Sequence, residues 1–156
     1  MLKAAVENAP ELEVDDRELH RSGPTYTIET LQSFREELAD MPLCLIVGVD
    51  AFCRFDQWHE WEKLPDLAHI AVAKRPGTDL PDEGPVAELI RERGTLKPDL
   101  LQTRPAGCII IRDIPALDIS GTRIRALLDA GRSIRYLVPD PVFNLIRKEQ
   151  DIRHES

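Results

Sequence analysis

The run Asp118-Ile119-Ser120-Gly121-Thr122-Arg123-Ile124-Arg125 has the composition of a loop that leads into a helix. The first amides of a helix have no partner inside it and carry a partial positive charge, which suits a phosphate. Ser120 and Thr122 add hydroxyl donors, Gly121 lets the backbone come close, and Arg123 or Arg125 can add charge-assisted hydrogen bonds. Residues 118–135 hold four arginines against two aspartates, in a chain whose 28 acidic and 20 basic residues give a net charge of −8. An ordinary cap with surface arginines produces the same pattern, so the run supports either reading.

Two further groups of residues could do chemistry. Gly48-Val49-Asp50-Ala51-Phe52 is followed closely by Gln57-Trp58-His59-Glu60-Trp61. Tryptophans three apart share one side of a helical turn, Phe52 and Phe55 can back them, and such a group can stack a planar ring or simply sit in the core. Asp50, directly after an apolar run, can grip a ribose or a metal, or cap the next segment. The third group is Gly23-Pro24-Thr25-Tyr26-Thr27-Ile28-Glu29-Thr30-Leu31. Hydroxyls and helix amides converge there too, as an anion or carboxylate site or as plain capping by Thr27.

Other chemistries lack support. The sequence has no Walker loop and no GxGxxG. His20, His59, His69 and His154 show no paired spacing that would hold a metal, and no nucleophile elbow occurs. The acidic balance disfavours a general nucleic-acid coat. No apolar run reaches the roughly 18–20 residues needed to span a bilayer, and no signal-peptide layout opens the chain. Cys44 and Cys108 lie inside apolar runs and, with Cys53, show no CxxC spacing, so reduced core thiols and a cytoplasmic protein are expected.

These groups need a scaffold. The 156 residues suit one domain, with 42% hydrophobic and 31% charged residues. Residues 43–47, 69–73 and 108–111 are continuous apolar runs, the pattern of strands buried on both faces of a parallel sheet. Helices are expected over residues 28–39 with Thr27 as cap, 86–93, 122–130 and 141–150, with an uncapped one opening at Met1. Leu12-Glu13-Val14 alternates like a short strand. Residues 76–105 read as a polar, Pro-rich surface excursion. Strands alternating with helices argue an open α/β sheet, whose ligands sit outside the carboxyl ends of the strands.

Taken in order, six segments resemble bacterial nicotinate-nucleotide adenylyltransferase. They are Pro24 through Leu31, Leu45 through Phe52, Trp58-His59-Glu60-Trp61-Glu62, Ala73-Lys74-Arg75-Pro76-Gly77, Ile119 through Arg125, and Gly131-Arg132-Ser133-Ile134-Arg135-Tyr136-Leu137-Val138-Pro139. The resemblance implies a Rossmann-like nucleotidyltransferase sheet. It implies transfer of AMP from ATP to nicotinate mononucleotide, giving deamido-NAD and pyrophosphate, with Mg²⁺ accompanying ATP. Trp58 would stack the nicotinate ring, with Tyr26, Thr27 and His59 near its carboxylate. Gly48 and Asp50 would line the nucleotide crevice, Arg75 would lie near it, and Ser120, Thr122 and Arg125 would hold the ATP phosphates. Gly121 stands where the family often has a second small hydroxyl residue.

The family also has an opening strand and Gly-rich loop of the form GxFxPxHxGH, whose histidines neutralise charge on the transferring phosphoryl group. Nothing in these 156 residues matches it. The expectation is therefore a single nucleotidyltransferase-like domain over residues 1–156, without its first βαβ portion, with a phosphate-binding helical segment at 118–150. It would hold no catalytic residue of its own and be inactive alone. The competing expectations are a truncated product or a non-catalytic binding module, the latter with residues 119–137 as a helix-turn-helix-like nucleic-acid reader.

Overall fold

Each of the three apolar runs forms a strand, because β-branched and apolar side chains pack well on a pleated surface. The computed structural model describes residues 1–115, 117 and 119–154, with side chains through Glu149. In chain order the helices are α1 (Leu2–Ala5), α2 (Thr27–Leu38), α3 (Val49–Phe52), α4 (Leu64–Leu67), α5 (Pro85–Arg93), α6 (Leu100–Thr103), α7 (Gly121–Asp129) and α8 (Asp140–His154). The strands are β1 (Cys44–Gly48), β2 (His69–Lys74) and β3 (Ile109–Asp113), and short 3₁₀ turns occupy Arg17–His20, Phe55–Gln57 and Trp61–Lys63. The chain divides into two compact units, Arg17–Ala116, and Met1–Asp16 with Leu117–Ser156. Leu12-Glu13-Val14 forms no strand.

In the unit Arg17–Ala116 the strands lie parallel in the order β1-β2-β3, with Leu45 opposite Ile70 and Ile70 opposite Ile109. Leu45, Val47, Ile70, Val72, Ile109 and Ile111 therefore share one face, and all of them belong to or pack on the core. The expectation of burial on both faces fails at β1. Ile46 is 75% exposed and Cys44 is exposed, so Cys44 is not the core thiol its apolar neighbours implied, whereas Cys108 is buried. Ile46, Ala71 and Ile110 share this second face, which is buried at Ile110 and open at Ile46, so the exposure belongs to the β1 side of the sheet. Partial screening from water still pushes the Cys44 thiol pKa up, against a lowering hydrogen bond with the Ala71 backbone.

Helix α2 buries Ile28 and Leu31, three apart, and its N-cap is Tyr26 rather than Thr27, which takes the first helical position. It ends at Ala39, held at φ 46°, ψ −116°. That conformation suits glycine and costs an L-residue of order 1–3 kcal/mol. Ala39→Gly is accordingly expected to stabilise the unit by about 1 kcal/mol after glycine's own entropy cost, read as a higher urea midpoint. A lowered midpoint would show that the backbone there is not strained.

Two side chains tie the amino-terminal ends of the strands together. His69 is fully buried, its Nδ1 accepting the Cys108 N–H at 3.0 Å and its Nε2 lying 2.8 Å from the Arg104 carbonyl. Because Cys108 supplies a donor to Nδ1, the ring proton resides on Nε2. The Arg35 guanidinium donates to the carbonyls of Ala39 and Met41, each at 2.7 Å, of Pro105 at 3.0 Å, and of Leu67.

Residues 76–105, expected as a surface excursion, include α5, which places Val86 and Leu89 in the core. Pro85 opens α5, and Gly94 lets the chain leave it: a Cβ there would come 2.4 Å from the Ile90 carbonyl oxygen. The next residue, Thr95, donates to the Ile109 carbonyl at 2.8 Å, so the segment runs alongside β3.

In the other unit α1 packs on α8, and Ile134 and Val142 are buried. Helix α7 is capped by Ser120, then the chain turns through Gly131 and an Arg135–Val138 bridge before α8. Residues 119–137 therefore contain one helix, and the second helix of a helix-turn-helix does not form there.

Candidate functional site

Parallel strands place all their carboxyl ends on one side, which is where an open α/β sheet binds ligands. Gly48 ends β1 and is the N-cap of α3; Asp50 lies exposed in the first turn of that helix. The expected alternative for Asp50, a cap, is not what forms, since Gly48 holds that position. Arg75 follows β2 directly and is exposed; its carbonyl accepts the Thr78 hydroxyl at 2.6 Å, which closes the Pro76-Gly77 turn. Register sets Gly48 opposite Ala73, so Gly48, Asp50 and Arg75 emerge from the same end of neighbouring strands.

From α3 the chain leads into an aromatic cluster. Phe55 is fully buried, with Phe52 at 5.3 Å, Trp58 at 5.1 Å and Trp61 edge-on at 6.4 Å between ring centroids. Both tryptophans are half-buried. Each thus rests on Phe55 without disappearing into the core, an outcome between the two that the sequence left open. The neighbouring His59 is exposed, and its ring stacks on that of Tyr26 at 4.3 Å with the planes 33° apart. Tyr26 contributes no side-chain cap to α2, leaving the amides of Thr27 and Ile28 at a helix start of partial positive charge. The structure therefore brings Tyr26, Thr27 and His59 together, with Trp58 adjoining.

The phosphate candidates lie in the other unit. Ser120 Oγ accepts the Arg123 N–H at 3.2 Å, a capping bond that leaves its own hydroxyl hydrogen available to a ligand. Arg125 folds back over the start of α7: its Nη2 reaches Thr122 Oγ1 at 3.4 Å, and its Nη1 lies 3.2 Å from where a Cβ on residue 121 would stand. Beside them opens a cleft of about 600 Å³ whose lining includes Ile119, Ser120, Ile124, Arg125, Val142 and Ile146. Val142 and Ile146 were missed in the sequence, although their spacing of four on one helix face was the available signal. Asp118 lies outside the described residues. Among the described residues no group of three His, Cys, Asp or Glu side chains could hold a metal ion, and no helix is long and apolar enough to cross a membrane.

Residues 1–127 match the family model described as cytidylyltransferase-like. A probable nicotinate-nucleotide adenylyltransferase of Marinobacter nauticus is 47% identical over 148 residues, covering 94% of this chain and 68% of the relative. Its counterpart in Pseudomonas aeruginosa is 46% identical over 147 residues, again 94% and 68%. The chain thus spans about two thirds of the length of these relatives. Among solved structures, Plasmodium falciparum nicotinic acid mononucleotide adenylyltransferase complexed with NaAD shares the fold, with a TM-score of 0.64 at 18% identity, covering 96% of this chain and 69% of that one. The same enzyme complexed with APC gives a TM-score of 0.65. By family model and relatives together, the chain belongs to the cytidylyltransferase-like nucleotidyltransferases, within the nicotinate-nucleotide adenylyltransferase family.

Proposed function

We propose that this chain carries the acceptor site and part of the ATP site for adenylyl transfer to nicotinate mononucleotide. In that reaction a phosphate oxygen of the acceptor attacks the α-phosphorus of ATP, the α–β bridging bond breaks, and pyrophosphate leaves with deamido-NAD as product. The observation that carries the acceptor reading is the half-buried Trp58, braced on Phe55, beside the Tyr26–His59 pair at the start of α2. A planar cationic ring with a carboxylate substituent suits an indole face next to helix amides. Thr27 adds a hydroxyl there, and Gly48, Asp50 and Arg75 would line the nucleotide crevice.

Ser120, Thr122 and Arg125 would hold the ATP phosphates, through the first amides of α7, two hydroxyls and a guanidinium. Mg²⁺ would arrive with ATP, since magnesium usually keeps several waters and is held largely by substrate phosphates. Phosphoryl transfer depends on charge neutralisation at the moving group. No residue here matches the family's histidine motif for that task. These 156 residues are therefore proposed to bind substrates without transferring the adenylyl group by themselves.

The test is a titration of intrinsic tryptophan fluorescence with nicotinate mononucleotide, using nicotinamide mononucleotide as control. Saturable quenching selective for the acid form is expected. Trp58→Ala is expected to weaken binding by roughly 1–3 kcal/mol, the worth of one stacked base-like ring, measured by calorimetry. An affinity unchanged in that variant would remove Trp58 from the role.

A further inference from the structure

The turn that carries Trp58 and His59 is tied down in only one direction by hydrogen bonds. The Trp58 N–H meets the Phe55 carbonyl at 3.0 Å, the Trp61 N–H meets that of Trp58 at 3.2 Å, and the Lys63 N–H meets that of Glu60 at 3.0 Å. The Lys63–Glu60 ion pair, at 3.0 Å, is equally local. Glu60 sits in the left-handed region at φ 50°, so the chain reverses sharply just after His59. Among the described residues no hydrogen bond joins this turn to α2. Beneath the turn, Trp58 and Trp61 rest on the apolar cluster that includes Ile28 and Leu31 of α2, and at its exposed tip the Tyr26–His59 ring stack joins it to the start of the helix. The Tyr26 backbone, from which the ring projects, is fixed because its carbonyl accepts the Glu29 N–H at 3.1 Å and the Thr30 N–H at 3.4 Å as the N-cap of α2.

We infer that Tyr26 is a positioning residue, acting through His59: the stack latches the Trp58 turn to the start of α2 and sets the spacing between the indole face and the helix's first amides. This rests on the acceptor-site reading given above. The latch bears on selectivity. Stacking on Trp58 is open to the acid and the amide form of a pyridine mononucleotide alike. Only the acid form places a negative charge that the α2 amides can hold, and only when the spacing is right. The spacing thus governs the preference for the acid form and not ring stacking as such.

Amide hydrogen exchange and ligand titration on the whole chain test this with two variants. In Tyr26→Ala, exchange over residues 57–63 is expected to rise while β2 and β3 stay protected. The affinity ratio of nicotinate to nicotinamide mononucleotide is expected to fall roughly 2- to 12-fold, the range a ring pair supplies. Tyr26→Phe, which keeps the ring, is expected to restore slow exchange at 57–63. Faster exchange throughout the unit would mean that Tyr26 serves stability alone, and unchanged exchange at 57–63 would mean that there is no latch. Either result overturns the proposal, as does a raised local exchange with the ligand ratio held. If the unaltered chain shows no acid-selective binding, the acceptor-site reading fails, and the exchange arm still decides whether the stack latches the turn.

Discussion

His69→Ala is expected to destabilise the chain by about 4 kcal/mol, measured by urea denaturation, a large share of the 5–15 kcal/mol that holds a typical domain together. The side chain is fully buried, so its removal leaves a cavity. It also strands two backbone groups, the Cys108 N–H and the Arg104 carbonyl, which the imidazole pairs at 3.0 and 2.8 Å. An unsatisfied buried polar group costs about 1–3 kcal/mol, a cost that adds to the cavity term at the buried Cys108 N–H and is smaller at the Arg104 carbonyl, which is partly open to water. His69→Gln keeps one acceptor and one donor and is expected to recover part of the loss. A glutamine no better than alanine would show that a flexible amide does not reach the two backbone groups that the rigid ring pairs.

Arg35→Ala is expected to cost about 3 kcal/mol by the same measurement. Its guanidinium collects the carbonyls of Ala39, Met41, Leu67 and Pro105, from the end of α2, the approach to β1, the end of α4 and the approach to β3. Charge-assisted hydrogen bonds are worth more than neutral ones, but several of these are open to water, which holds the total down. Arg35→Lys is not expected to rescue the loss. An ammonium is a compact charge on a flexible stem and cannot meet four spread carbonyls as a planar fork does. A loss below about 1 kcal/mol in the alanine variant would mean that water replaces the guanidinium at little cost.

Neither residue announced itself in the sequence, and the reason is the same for both. The partners of His69 and Arg35 are backbone groups, which every residue carries, at positions brought near only by the fold. Arg35 reaches a carbonyl 70 positions away and His69 one 35 away. The strands were legible because a run such as Cys108-Ile109-Ile110-Ile111 has one favourable fate. What such a run does not encode is what packs on each of its faces, so the exposure of Cys44 and Ile46 on β1 could not be read from it. The candidate site was legible in its aromatic part, since Phe55 backs both Trp58 and Trp61 as their nearness in the chain suggested. The Tyr26–His59 stack was not, because residues 33 apart share no local pattern. At Ser120 composition pointed correctly to a capped helix, with the phosphate role left to chemistry.

The strand register has a kinetic consequence. Cys44 pairs with a residue 25 positions further on, and Ile70 with one 39 further on, so no two neighbouring strands are joined by a tight hairpin. Each pairing must close a long loop before any ladder bond forms, and that entropy is lost before the contacts compensate for it. A helical turn closes over four residues, whereas the sheet must wait for distant chain segments that diffuse together slowly. For that interval the apolar strands are exposed to other copies of the chain, so slow assembly of β1, β2 and β3 lengthens the time in which aggregation competes with folding.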